Sequence, residues 1–320
     1  MKKLLMLSLV AILALFTAAC GNNTTKKDAS KLSVYTTVYP LQYFTERIGG
    51  NHVEVESIYP PGSNEHTFEP TQQDMMKIAD SKLFFYIGLG LEGFVTNAKK
   101  TLANEDVTMV ETTAHVDEKL FATSTATKDD HHEEEDHDHS EEGHSHGNVD
   151  PHVWLSPIIS QELAASIKDN LIKKDPKNKE DYTKNYNKLI IDLKQLDADF
   201  TEMAQQAKTD TFFISHASFG YIAGTYGLHQ QAISGLNSQQ EPSQQELTKI
   251  ASKAKKDNIN YILFEQNVSS KLSEVIQKDV GAQSLTVNNL SVLTKEDIAA
   301  KKDYLTIMHE TIKTFQKALQ

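Results

Sequence analysis

Lys179-Glu180-Asp181-Tyr182-Thr183-Lys184-Asn185-Tyr186-Asn187-Lys188-Leu189-Ile190-Ile191-Asp192-Leu193 opens the stretch that decides how this chain is organised. From Tyr182 onward, Tyr186, Leu189, Leu193, Leu196, Phe200, Met203 and Ala207 follow at steps of four and three, with Lys, Asp, Asn and Gln between them. That spacing lays one apolar stripe along a helix. Asp175-Pro176 marks its start and neither Gly nor Pro interrupts it. The run therefore gives a helix of about 32 residues, ~48 Å at 1.5 Å per residue. It lacks the sustained flanking charge pairs of a coiled-coil arm. It reads as a rigid spacer, residues 175–208, between an N-terminal lobe, 31–174, and a C-terminal lobe, 209–320.

On both sides of the spacer, short β-branched or aromatic runs alternate with helical patterns. Expected strands are Leu32–Thr37, Val53–Tyr59, Leu83–Ile87, Thr108–Glu111, Thr211–Ser215, Gln230–Ile233, Tyr261–Phe264 and Ser284–Val287. Helix starts are marked by Thr71-Gln72-Gln73-Asp74, by Ser156-Pro157 with Pro at the first helical position, and by the capping box Ser243-Gln244-Gln245-Glu246. Alternating βα units imply an α/β protein with parallel sheets covered by helices.

The ends and the charge distribution set the compartment. Lys2 and Lys3 precede an apolar run from Leu4 to Phe16, then Thr17-Ala18-Ala19 and Cys20, the one cysteine. A basic start, a short apolar run and small residues define a secretory signal, 1–19, too short for a typical membrane span. Cys20 at that junction resembles the lipid-modified cysteine of a bacterial lipoprotein, with 20–30 as a polar tether. Removing Lys2 and Lys3 takes the formal net charge from −12 to −14. Such acidity excludes nucleic acid as a natural partner and suits cations. Much of it lies in one insertion, 123–148, where Lys128 to Gly147 carries nine acids and six histidines. Such composition buries too little apolar surface to order itself.

Three further histidines stand apart in compact, turn-rich settings. They are His66 in Asn64-Glu65-His66-Thr67-Phe68-Glu69-Pro70, His152 in Asp150-Pro151-His152-Val153-Trp154-Leu155-Ser156-Pro157, and His216 in His216-Ala217-Ser218-Phe219-Gly220-Tyr221. Each sits at a strand end or the loop after it, on the rim where open α/β sheets bind ligands. Imidazole with a carboxylate or water suits borderline metals such as zinc. Asp150 either orients His152 or begins a turn with Pro151. Glu265 reads as a loop-capping acid, Trp154 and Phe219 as core. Catalytic zinc also uses three histidines, but the chain has no His-Glu-x-x-His and no general base beside the candidates, which speaks against an enzyme.

His-x-Phe-Glu-Pro-Thr, Asp-Pro-His-x-Trp-Leu-Ser-Pro and His-Ala-Ser-Phe-Gly-Tyr, together with Thr36-Thr37-Val38-Tyr39-Pro40, resemble the zinc and manganese substrate-binding lipoproteins of bacterial ABC importers (cluster A-I). The likeness runs from Leu32 to the C-terminal helix. It implies two (β/α)4 lobes joined by the long helix, with His66, His152 and His216 as metal ligands in the cleft. It further implies a permease and its ATPase as partners, an extracytoplasmic location at the cell membrane, and transported Zn2+ rather than a resident cofactor. A histidine at position 216 points to zinc, since manganese members of the family carry a carboxylate there and prefer oxygen donors. A manganese receptor, and a surface adhesin or metal buffer, are the alternatives. Many relatives add a carboxylate where this chain has Ser291, so the fourth ligand is expected to be Glu65 or water. No oligomer signal is present, and the chain reads as a monomer.

Overall fold

The computed structural model describes residues 30–126, 149–266 and 270–320. The signal, Cys20, nearly all of the tether and residues 127–148 of the acidic insertion lie outside them. Lys31–Gln320 forms one compact unit.

All eight expected strands form, with ends within two residues of the sequence reading. They are β1 (Leu32–Thr36), β2 (Val53–Ser57), β3 (Leu83–Tyr86), β4 (Thr108–Glu111), β5 (Thr211–His216), β6 (His229–Ser234), β7 (Tyr261–Glu265) and β8 (Gln283–Val287). Two separate four-stranded sheets result, ordered β2-β1-β3-β4 and β6-β5-β7-β8. Every pairing is parallel. In each sheet the first strand of its half lies inside, so the order reverses between β1 and β3 and again between β5 and β7. Ligands of open α/β sheets bind at such switch points, beyond the carboxyl ends of the strands.

The inner strands β3 and β5 are buried on both faces. β5 shows this directly: Phe212 and Ile214 join the large core, while Phe213 packs into a second cluster with Ile233, Ile250, Ile262 and Ile276 on the opposite face. Alternate residues of a strand point to opposite faces, so both faces are filled.

The spacer is a helix from Lys179 to Gln205, 27 residues, shorter than the sequence suggested. Pro176–Asn178 forms a separate 3-10 turn, because Asp175 accepts hydrogen bonds from Asn178 and Tyr182 and halts the regular turn there. Its buried stripe is Tyr182, Leu189, Leu193, Leu196, Phe200 and Met203. Tyr186 is half-buried and Ala207 lies past the helix end. The stripe packs on helices Tyr39–Gly49 and Pro157–Lys174 from the first half of the chain and on Tyr304–Ala318 from the second. The expected caps are present: Thr71 and Ser243 form capping boxes with Asp74 and Glu246, and Ser156 caps the helix that begins at Pro157.

One boundary needs correcting. The insertion was expected to start at residue 123, yet Thr123–Ala126 belongs to the folded body. Ser124 is buried and donates to Asp150 Oδ2 (2.6 Å), and the Thr125 N–H donates to the Gly220 carbonyl (3.1 Å). The helix Gly220–Thr225 admits this strand of backbone only because Gly220 and Gly224 carry no Cβ; one at Gly224 would meet the Thr123 carbonyl. Among the described residues, no helix is long and apolar enough to cross a membrane.

Candidate metal centre

His66 is delivered by the loop after β2. Gly62 turns the chain with a positive φ (80°), and Asn64 Oδ1 accepts the His66 backbone N–H at 2.9 Å. The Asn64 side chain also donates to Ser238, in the segment after β6 (2.9 Å). Phe68 anchors the far side of the loop on Tyr59, ring centroids 4.8 Å apart.

His152 precedes a 3-10 turn, Val153–Leu155. Asp150 does both things that its sequence position allowed. Its Oδ1 accepts the backbone N–H of His152 (3.0 Å) and sits 2.8 Å from the ring Nδ1. A carboxylate on Nδ1 fixes the proton there and leaves Nε2 free as a donor to metal. Asp150 is held in turn by Ser124 and, through its carbonyl, by the Tyr221 hydroxyl (2.6 Å). Trp154 lies against the His152 ring, centroids 5.4 Å apart.

His216 is the last residue of β5 and fully buried. Glu265 Oε2 lies 3.1 Å from its Nδ1, and the Leu236 carbonyl 2.8 Å from its Nε2. Glu265 is not the loop cap that its sequence context suggested. It ends β7, the strand beside β5, and two residues beyond the register pair Ile214↔Leu263 come His216 and Glu265.

The three rings converge, with centroids 5.2, 5.3 and 4.9 Å apart. One ring nitrogen from each lies within 4.8 Å of the others. The Nε2 atoms of His66 and His152 are 3.3 Å apart, close to the edge of about 3.3 Å for a tetrahedron with zinc–nitrogen bonds of ~2.0–2.1 Å. Burial, with His152 and His216 alongside, pushes the His66 pKa down to about 2, so that ring is neutral and able to ligate. Burial also opposes charge on His216, but Glu265 outweighs it and lifts the pKa to about 9.

Carboxylates complete the surroundings. Glu65 is 2% exposed, with Oε1 4.0 Å from His66 Nε2. Glu65, Asp150 and Glu265 are all buried, and their ion pairs run to these histidines rather than to Lys or Arg. Among the described residues this is a cluster of imidazoles and carboxylates with no Lys or Arg paired into it, the composition that a divalent cation completes. Ser291 is buried but turned to local use, its hydroxyl donating to Asn289 Oδ1 at 3.0 Å. His52, His229 and His309 pair with surface acids away from the cluster. Glu265 and Asn289 are the cleft residues that sequence reading missed; Glu265 stood out only as an acid ending an apolar strand.

A profile of the family described as "ZnuA: Zinc-uptake complex component A periplasmic" matches residues 34–318. The chain is 36% identical over 317 residues to the zinc-binding lipoprotein AdcA of Streptococcus pneumoniae, covering 99% of this chain and 61% of that one. It thus spans about three-fifths of the length of the AdcA relatives. It is 35% identical to the high-affinity zinc uptake system protein ZnuA of Bacillus subtilis, covering 98% and 97% of the two chains. The crystal structure of the Zn(II)-bound ZnuA-like domain of S. pneumoniae AdcA superposes with a TM-score of 0.73 at 32% identity, over 90% of this chain and 99% of that one.

Proposed function

The chain belongs to the family of zinc-uptake complex component A, and on that premise we propose that it is a monomeric extracytoplasmic receptor that captures Zn2+ and hands it to the permease of an ABC importer. His66, His152 and His216 are the ligands, with Glu65 or a water as the fourth. After signal 1–19 is removed, lipid on Cys20 holds the mature chain at the membrane through the tether. Two lobes flank the helix and enclose the metal between their strand ends.

The convergence of three imidazoles from residues 66, 152 and 216, the last two fully buried, carries this reading. Three nitrogen donors suit zinc, whereas manganese favours oxygen. Glu65 is close enough to take the fourth place after a small side-chain rotation, and its charge would lower that of a buried Zn2+. Family membership supports a receptor, not a catalyst.

A strain lacking the protein tests import. Zinc uptake and growth under chelation should fall and be restored by the intact gene or added zinc. Normal zinc accumulation with loss of surface adhesion alone would overturn the proposal.

A further inference from the structure

Asn289 lies in the turn after β8, buried, and its side chain bonds to both carboxylates that flank His66 and His216. Its Nδ2 donates to Glu65 Oε1 (2.9 Å) and to Glu265 Oε2 (3.0 Å). Its Oδ1 accepts the Ser291 N–H (3.1 Å) and hydroxyl (3.0 Å). Two donors on one side and two carboxylates on the other fix which way the amide points. Its backbone carbonyl accepts the Trp154 indole N–H (2.6 Å), and that ring backs His152.

We propose that Asn289 is a positioning residue of the metal centre, whose amide holds the Glu65 and Glu265 carboxylates together against the histidines. This rests on the receptor reading above. With both bonds near 3 Å on one nitrogen, the two carboxylate oxygens are about 5 Å apart. Buried like charges at that distance repel strongly. The amide offsets this by donating one proton to each. Glu265 is thereby held on His216 Nδ1, which leaves Nε2, now facing the Leu236 carbonyl, as the nitrogen that takes the cation once that carbonyl moves away. Glu65 is held beside His66. Among the described residues the second oxygen, Glu265 Oε1, is buried without a hydrogen-bond partner, so that lone-pair capacity is left over after Oε2 is satisfied. A cation bound by the adjacent imidazole answers the charge of the carboxylate.

The plainer role for Asn289 is to cap its own turn through Oδ1. A double-mutant cycle separates the two. Zinc affinity of the full mature chain is measured by chelator competition for Asn289→Ala, for Glu65→Gln/Glu265→Gln, and for the combination. Asn289→Ala should weaken zinc about ten- to a hundredfold, as loss of such supporting groups does, and change the visible spectrum of the Co2+-loaded protein. In the Glu65→Gln/Glu265→Gln background the same change should cost less than about twofold, because no repulsion between carboxylates remains for the amide to offset. Equal fold-losses in both backgrounds, or an unaltered Co2+ spectrum, would overturn the proposal. Should Asn289→Ala fail to fold, Asn289→Asp, which keeps the turn acceptor and loses the donors, takes its place in the same cycle. Failure of the receptor reading looks different: the parent protein itself would lack a tight zinc site dependent on His66, His152 and His216.

Discussion

At the residue scale, chemistry is set by what lies behind each imidazole. Asp150→Asn preserves shape but removes the charge on His152 Nδ1, so zinc affinity should fall about ten- to a hundredfold. Ser291→Ala removes one neutral hydrogen bond and should leave affinity within about twofold. Chelator competition reads both. Protons compete with the metal at His216. With its pKa near 9, the metal-free ring is protonated at neutral pH, and zinc must expel that proton. Proton release on loading, followed with an indicator dye, should be about one per zinc at pH 7 and vanish above pH 9. The folded pKa also lies above the ~6.5 of an unfolded histidine. The stability given by the Glu265 pair is therefore full below pH 6.5 and lost as pH rises through 9. In that window, the metal-free protein should melt lower with rising pH. Below it, His66, whose pKa is depressed, acts in the opposite sense.

Elements were the most legible level. Short β-branched or aromatic runs located the strands and a helical period located the spacer, because both depend on local sequence. Adjacency is not local. β5 pairs with β7 across an intervening strand and two helices, so nothing in Phe264-Glu265-Gln266 announces that Glu265 will face His216. Asn289 was hidden for the same reason: its carboxylate partners lie 224 and 24 residues away. Two substitutions test how the elements are held. Leu193→Ala, in the buried stripe of the spacer, should cost about 2–5 kcal/mol in urea unfolding, whereas Ile191→Ala, at an exposed position of the same helix, should change stability by less than about 0.5 kcal/mol. Gly224→Ala should destabilise by about 1–3 kcal/mol or more, since the Thr123 backbone occupies the space.

Across the whole molecule, a continuous helix that packs on elements of both halves resists wide hinge closure. Loading should rearrange local loops, chiefly 62–68 and 235–242, where Asn64 meets Ser238 and the Leu236 carbonyl occupies His216 Nε2. X-ray scattering curves of the metal-free and zinc-loaded protein should superimpose; a change of several ångströms in radius would contradict a rigid spacer. Deleting residues 129–147 should remove weak extra zinc equivalents and leave the tight one, as equilibrium dialysis would show.

The central claim is that one zinc is held by three imidazoles drawn from distant parts of the chain. Titration of the mature protein and of His66→Ala, His152→Ala and His216→Ala against zinc, with manganese as competitor, tests it most directly. The parent should bind one tight zinc and prefer it over manganese. Each variant should lose affinity by orders of magnitude. A parent-like tight site in any one of the three variants would contradict the claim for that residue, and a parent that prefers manganese would contradict it altogether.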